Sequence, residues 1–469
     1  MVYYLIISVA SALFSVSLFW LATPFFHLAE RTLSLLNSLL DQESEEAVKH
    51  RQVTQKLDAE LRALLLFLIS CALAVAIATL PVYLYARWSS LPMDQLDTHS
   101  WKFWVSLILG GLLPFGIAAL RPRRGEDYTE WSKLLHRLVL DNYHFSRKLF
   151  RLERSMFSSK TAVPSEEFII VTGLARAGTT ALTKLLHRVG SYYSLSYANM
   201  PFLLSPNLWR RVYRPKSQAV RERSHGDQVT FGLTSVEALE EHFFKNFLND
   251  NFINDQYLEE HTVDEETYQK YLVYQGLLRP TDDPKSKYLA KNNNFLLRYA
   301  SLRALNASFK VVCLFRDPVD HAYSLLKQHQ RFSALQQDTP FVVEYMDWLG
   351  HHEFGVNHKP FRFSDTPRTG DHSPESINYW LSNWIDYYRR VLQIDHDADF
   401  LLVDYSDFSK RPADVLSELA HRFQQPLDTS EVVPFENKNQ YQGPIDSSLV
   451  NTAREIHQQL VSRKLSVAR

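Results

Sequence analysis

Two stretches of the 469-residue chain combine residue types and spacing that suit the handling of phosphate groups. The first is Gly173, Leu174, Ala175, Arg176, Ala177, Gly178, Thr179 and Thr180. The apolar Phe168–Val171 before it reads as a buried strand, and the residues after it, to His187, read as a helix. In a strand–glycine loop–helix turn, backbone N–H groups and the helix N-terminus form a cradle for an anion, and glycine lets the backbone come close. The nucleotide-triphosphatase version of such a loop is G-x-x-x-x-G-K-[ST]. Here Thr179 stands where that Lys would be, and the cation comes earlier, at Arg176. Taken alone, the stretch also fits a turn with no ligand. The second stretch is a predicted strand, Val311–Phe315, followed by Arg316, Asp317 and Pro318 and a helix carrying Ser324. A guanidinium fork at a strand end suits a pair of phosphate oxygens.

Together, in this order and each after a strand, the two motifs resemble those of the sulfotransferases that use 3′-phosphoadenosine 5′-phosphosulfate (PAPS). The resemblance spans roughly residues 165–450. The loop is similar to their 5′-phosphosulfate loop, commonly G-x-P-R-S-G-T-T, and Arg316-Asp-Pro with Ser324 is similar to their 3′-phosphate motif. Ala175 replaces the usual Pro and Ala177 a Ser or Thr. The resemblance implies an α/β fold, a P-loop-like parallel sheet flanked by helices, and transfer of a sulfuryl group from PAPS, as co-substrate, to a hydroxyl without a metal. It implies that Gly173, Arg176, Ala177, Gly178, Thr179 and Thr180 hold the 5′-phosphosulfate, with Arg176 also acting in catalysis, and that Arg316 and Ser324 hold the 3′-phosphate. It adds Tyr405, at the end of a strand over Phe400–Val403. It also adds Lys438, in a polar Gly-Pro loop over 435–444, where the family often closes over its nucleotide.

The acceptor side is less legible. Many relatives carry a catalytic Glu shortly after the loop helix, where this chain has Tyr197, Ala198 and Asn199, none of them a general base near neutral pH. His225 and Asp227, in a glycine-containing loop, are candidates: His225 as base with Asp227 orienting it, or a plain loop pair. Ser235, Glu237 and Glu240 read as a helix cap with acids in the first turn. Glu241 is less easily explained that way and is taken as an acceptor contact. Lys291 and Asn292 open a Lys-Asn-Asn-Asn segment at a strand end; it either caps a helix or binds substrate, and similar family segments favour binding. His351, His352 and His358 invite a metal, but adjacent side chains diverge and no cysteine is near, so no metal is expected.

The elements that must position these residues follow from patterning. Lys and Arg total 51 against 52 Asp and Glu, a net charge of −1, which gives no support for a nucleic-acid partner. Two cysteines exclude a disulfide framework and suit a reducing compartment. Residues 1–124 read as a transmembrane region, with uncharged runs at about 2–26, 63–86 and 103–120 and a polar helical segment over 27–60. Residues 125–160 read as a helical connector and 161–469 as the sulfotransferase-like domain, ending in a helix over 446–465. Arg121, Arg123 and Arg124 after the third run, with five basic residues between the first two, place those segments and the domain in the cytoplasm. That topology fits a multi-pass enzyme of a bacterial inner membrane. The bilayer suggests a glycan, lipid or lipid-linked acceptor. Two other classes are compatible with the motifs: a membrane-bound ATP-dependent kinase or NTPase, which the missing Lys disfavours, and a non-catalytic scaffold, which the missing Glu favours.

Overall fold

The computed structural model describes residues 2–40, 46–89, 100–120, 130–157, 165–213, 221–222, 230–231, 238–364, 369–370, 372–394, 397–435 and 441–466. The chain divides into two compact units, Met1–His144 and Phe145–Arg469, a boundary inside the expected connector.

The first unit is built on helices Val2–Leu40, Glu46–Ser89 and Trp101–Leu120. The polar segment expected over 27–60 is not a separate element: among the described residues it is shared between the first two helices, which continue through it side by side. Their polar groups meet across the pair. Arg31 Nη1 donates to the Ala59 carbonyl at 2.8 Å and Thr32 Oγ1 to Glu60 Oε1 at 2.5 Å. The third helix returns along the first, where Ser8 Oγ donates to the Ser106 carbonyl at 3.0 Å and Ser11 Oγ to the Leu107 carbonyl at 2.7 Å. Gly110 makes the approach possible, since a Cβ there would lie 2.1 Å from the Ser8 carbonyl oxygen. Small residues with cross-helix hydrogen bonds are how apolar helices associate where no hydrophobic drive exists. Val2–Leu36 and Val53–Ser89 are each long and apolar enough to cross a membrane, by length and composition; Trp101–Pro114 is a shorter apolar run.

The second unit contains a five-stranded parallel sheet: β1 (Phe168–Thr172), β2 (Tyr192–Tyr193), β3 (Lys287–Lys291), β4 (Lys310–Phe315) and β5 (Phe400–Asp404), in spatial order β2-β3-β1-β4-β5. The strands at 168, 311 and 400 expected from apolar runs are all present, as is the one ending at Lys291. Every residue of β1 is buried, as a parallel strand covered on both faces requires. On one face Leu182 and Leu186 of the loop helix pack with Val415, Leu416 and Leu419 against Ile169, Val312 and Leu401. Elsewhere the Ile377–Gln393 helix contributes Trp384 and Tyr388, both 0 % exposed, and the Tyr388 hydroxyl donates to the Leu314 carbonyl at 2.7 Å. Register then fixes the site. Val171 pairs with Lys291, Thr172 with Cys313, and Phe315 with Asp404. The residues that leave the strands, Gly173, Asn292, Arg316 and Tyr405, therefore emerge side by side along the C-terminal edge, where α/β sheets bind ligands.

A buried polar network supports that edge. Glu240, 1 % exposed, accepts from Tyr271 Oη at 2.7 Å, Tyr288 Oη at 2.8 Å and Asn292 Nδ2 at 3.0 Å. The expected role for Glu240 as a first-turn acid is corrected: the helix is Glu241–Leu248, and the Glu240 side chain makes no cap bond. Glu241 accepts a two-pronged contact from Arg298, Nη1 at 2.7 Å and Nη2 at 2.6 Å, and a third bond from Asn292 at 3.0 Å. The Arg298 guanidinium lies over the Phe244 ring at 4.0 Å. With both partners of this ion pair sealed from water, Arg298→Met is expected to leave Glu241 uncompensated and to cost about 3–5 kcal/mol. Thermal and urea unfolding of the detergent-solubilised chain measures this, and a loss below about 1 kcal/mol would show that the pair does not hold the edge.

Candidate functional site

The loop leaving β1 is held in unusual backbone conformations. Gly173 has φ 143°, Gly178 φ 102° and Arg176 φ 70°. Two contacts demand glycine: a Cβ on Gly173 would lie 2.7 Å from the Leu314 carbonyl oxygen, and one on Gly178 would lie 2.6 Å from Cδ2 of Tyr405. The Ala177 amide donates back to the Leu174 carbonyl at 3.1 Å, closing a turn, and the Thr179–Val189 helix starts directly after Gly178. Ala177 is fully buried, so the hydroxyl that relatives carry there would need a partner inside the protein.

Charge gathers at this loop. Arg176 Nε donates to Ser324 Oγ at 3.3 Å, joining the two motifs across 148 residues of sequence. Arg316, 5 % exposed, has its guanidinium 5.1 Å from the centre of the Tyr405 ring, within cation–π range. Burial pushes the Arg316 guanidinium below its usual value, and the Arg176 charge pushes the same way, against Tyr405, Asp320 and Asp317. Burial raises the Tyr405 hydroxyl, while Arg316 and Arg176 pull it down. Asp317 is committed to the helix start, accepting from the Val319 and Asp320 amides, each at 3.0 Å.

His321, which the sequence reading passed over, braces the loop. Its Nε2 lies 2.7 Å from the Ala175 carbonyl oxygen. Burial lowers the imidazole to about 3, with Arg316 and Arg176 adding to the effect. The ring is therefore neutral, and since a carbonyl only accepts, its one proton sits on Nε2. Its position one turn into the helix after Arg316-Asp-Pro was the available signal.

The remaining expected residues separate into groups. Gly173, Arg176, Ala177, Gly178, Thr179, Thr180, Arg316, Ser324 and Tyr405 come together at the edge of β1, β4 and β5. Lys291, at the end of β3, adjoins them through Val171. Asn292 and Glu241 belong to the buried network, where Glu241 spends both oxygens on Arg298; this corrects the expectation that Glu241 faces an acceptor. His225, Asp227 and Lys438 lie outside the described residues, as do Ser235 and Glu237. At the position of the family Glu, Asn199 closes a tight turn, accepting from the Ser196 amide at 2.8 Å.

Two contacts extend from the loop toward another group that sequence reasoning missed. Thr179 Oγ1 donates to Asn293 Oδ1 at 3.5 Å, and Asn293 Nδ2 donates to Glu353 Oε1 at 3.0 Å. Glu353 also lies 3.4 Å from His351 Nδ1. The histidines around it diverge, as expected. His352 Nδ1 faces the Asn357 carbonyl at 3.1 Å, while His358 bridges the His352 carbonyl at 2.9 Å and the Tyr379 hydroxyl at 2.9 Å. Among the described residues no group of three His, Cys, Asp or Glu is placed to hold a metal ion.

Residues 166–464 match the sulfotransferase domain family. No curated protein matches the chain. Among solved structures, the chain is similar to sulfotransferase STF1 from Mycobacterium tuberculosis, at 16% identity over 73% of this chain and 84% of that one, with a TM-score of 0.38. STF9 from Mycobacterium avium shares 13% identity over 82% and 88%, at 0.37. A sulfotransferase from Alicyclobacillus acidocaldarius shares 12% over 64% and 98%, at 0.32. The family match covers more than half of the sequence and includes both phosphate motifs, and the chain belongs to the sulfotransferase domain family.

Proposed function

We propose that the protein is a membrane-bound sulfotransferase that moves a sulfuryl group from PAPS to a hydroxyl of a glycan, lipid or lipid-linked acceptor. One observation supports the donor above all: Arg176 and Arg316, far apart in sequence, are held at one sheet edge beside a glycine loop and a helix N-terminus. A ligand with phosphate at both ends would meet a cation at each, Arg176 at one and Arg316 at the other. In this reading Arg176, the loop amides, Thr179 and Thr180 hold the 5′-phosphosulfate. Arg316 and Ser324 hold the 3′-phosphate and select PAPS over ATP, with Tyr405 fixing the guanidinium plane. The acceptor oxygen forms a bond to sulfur as the bond from sulfur to the 5′-phosphate oxygen breaks, and the hydroxyl proton passes to a base. The protein aligns donor and acceptor and stabilises charge growing on the leaving oxygen. The apolar Val2–Leu36 and Val53–Ser89 helices support anchoring in a bilayer, and the basic residues flanking the apolar runs support a cytoplasmic domain in a bacterial inner membrane.

Calorimetry on the solubilised protein is expected to show binding of 3′-phosphoadenosine 5′-phosphate, with magnesium-ATP bound at least about 100-fold more weakly. Arg316→Ala is expected to weaken bisphosphate binding by a similar factor, the value of two or more lost charge-assisted hydrogen bonds. Equal affinity for ATP, or an unchanged Arg316→Ala, would sink the donor assignment. For topology, a cysteine placed at the exposed Val433 should react with a membrane-impermeant maleimide only after the cells are opened. Labelling of intact cells would put the domain on the other side.

A further inference from the structure

The proposed reaction needs a base for the acceptor proton, and no described residue at the family position supplies one. We infer that His351 is that base, with Glu353 the positioning residue that holds its ring; the inference rests on the donor reading above. The pair is tied to the phosphate loop by the chain Thr179–Asn293–Glu353, a single amide separating the loop helix from the carboxylate. Glu353, though not His351, also lines a small apolar cavity of about 20 Å³ with Leu174 and Ala175 of the loop itself. The acceptor side of the donor is where a base must stand, and the Thr179–Asn293 contact ties the pair to the loop helix rather than to the 3′-phosphate end at Arg316.

The division of labour follows from surroundings. Burial would raise the Glu353 carboxyl, but His351, Lys291 and the Asn293 hydrogen bond together hold it far below its usual range. A carboxylate so firmly ionised is a poor proton acceptor and a good partner for an imidazolium. His351 Nδ1, at 3.4 Å, faces Glu353 Oε1, and its side chain retains 23% of its exposure. The proton shared with Glu353 sits on Nδ1, which leaves Nε2 as the basic atom, the arrangement that orients a catalytic imidazole elsewhere. Other charged and titratable groups bear on the pair: Lys291 from the β3 end, Lys245 and Asp347 on the side of His352, and the buried His352 and His358. Burial keeps both of those histidines neutral, at about 4 and about 3. In the step itself the acceptor hydroxyl gives its proton to His351 Nε2 as its oxygen bonds to sulfur, and the bisphosphate leaves with the bonding pair.

The test need not know the acceptor. In the full chain in detergent, diethyl pyrocarbonate is expected to modify His351, read by peptide mass spectrometry. Saturating 3′-phosphoadenosine 5′-phosphate should slow this about 10-fold or more. Glu353→Gln should slow hydrolysis of labelled PAPS with little change in bisphosphate affinity, since the imidazole loses the carboxylate that positions it. Slow release of labelled sulfate from PAPS to water should fall about 100-fold in His351→Asn, the lower range for a general base. His351 reacting equally fast with ligand bound, or undiminished PAPS hydrolysis in Glu353→Gln, overturns the assignment. So does full activity in His351→Asn with loss in His225→Ala. If calorimetry shows no bisphosphate binding by the wild-type chain, it is the donor reading that fails.

Discussion

The ring of Tyr405 lies so close to Gly178 that no methyl group fits between them, and the rest of the site is built outward from that contact. It ties the end of β5 to the loop leaving β1, two elements with β4 between them. Arg316, leaving β4, spans the same ring. Three strand ends are thus clamped by one aromatic side chain, and the relative position of the two motifs becomes a property of the sheet. The parallel register supplies the rest. Because Phe315 pairs with Asp404 and Thr172 with Cys313, a slip of one residue would send a motif residue to the opposite face.

The other half of the edge depends on polar groups buried beneath it. Three consecutive asparagines leave β3, and each is tied to a different anchor: Asn292 to Glu240 and Glu241, Asn293 to Glu353, Asn294 to the Gly350 carbonyl. A buried network of this kind is useful only when satisfied, and the two-pronged Arg298 contact gives both oxygens of Glu241 a partner there. The same anchors bring the segment after Trp348 against the sheet edge, which is how a helix-capping pattern in sequence becomes part of a site.

Much of this was legible in the chain itself. Apolar runs marked β1, β4 and β5, because strands covered on both faces leave no polar positions to confuse the signal. The loop glycines and Arg316-Asp-Pro marked the turns that leave β1 and β4, because close backbone packing and a helix start demand particular residues at particular spacings. What stayed hidden depends on long-range packing. Glu240 and Glu241 read as capping and acceptor-facing acids, since nothing local shows that Tyr271, Tyr288 and Arg298 will surround them. Glu353 was overlooked beside the histidines, because its meaning comes from Asn293, distant in sequence. The polar stretch after the first apolar run read as one helical segment over 27–60; that it is divided between the ends of two long helices leaves no mark in composition.

Arg176 occupies left-handed backbone at φ 70°, which for a residue with a Cβ costs about 1 kcal/mol or more. A glycine would relax there and would also remove a positive charge from beside Arg316. The fold carries this strain in keeping the arginine, so in the sulfotransferase reading proposed above robustness and chemistry pull in opposite directions at a single position. If Arg176 acts as proposed, a library selected only for heat tolerance would lose activity through this residue, so stabilising substitutions for this fold are better sought away from the sheet's C-terminal edge.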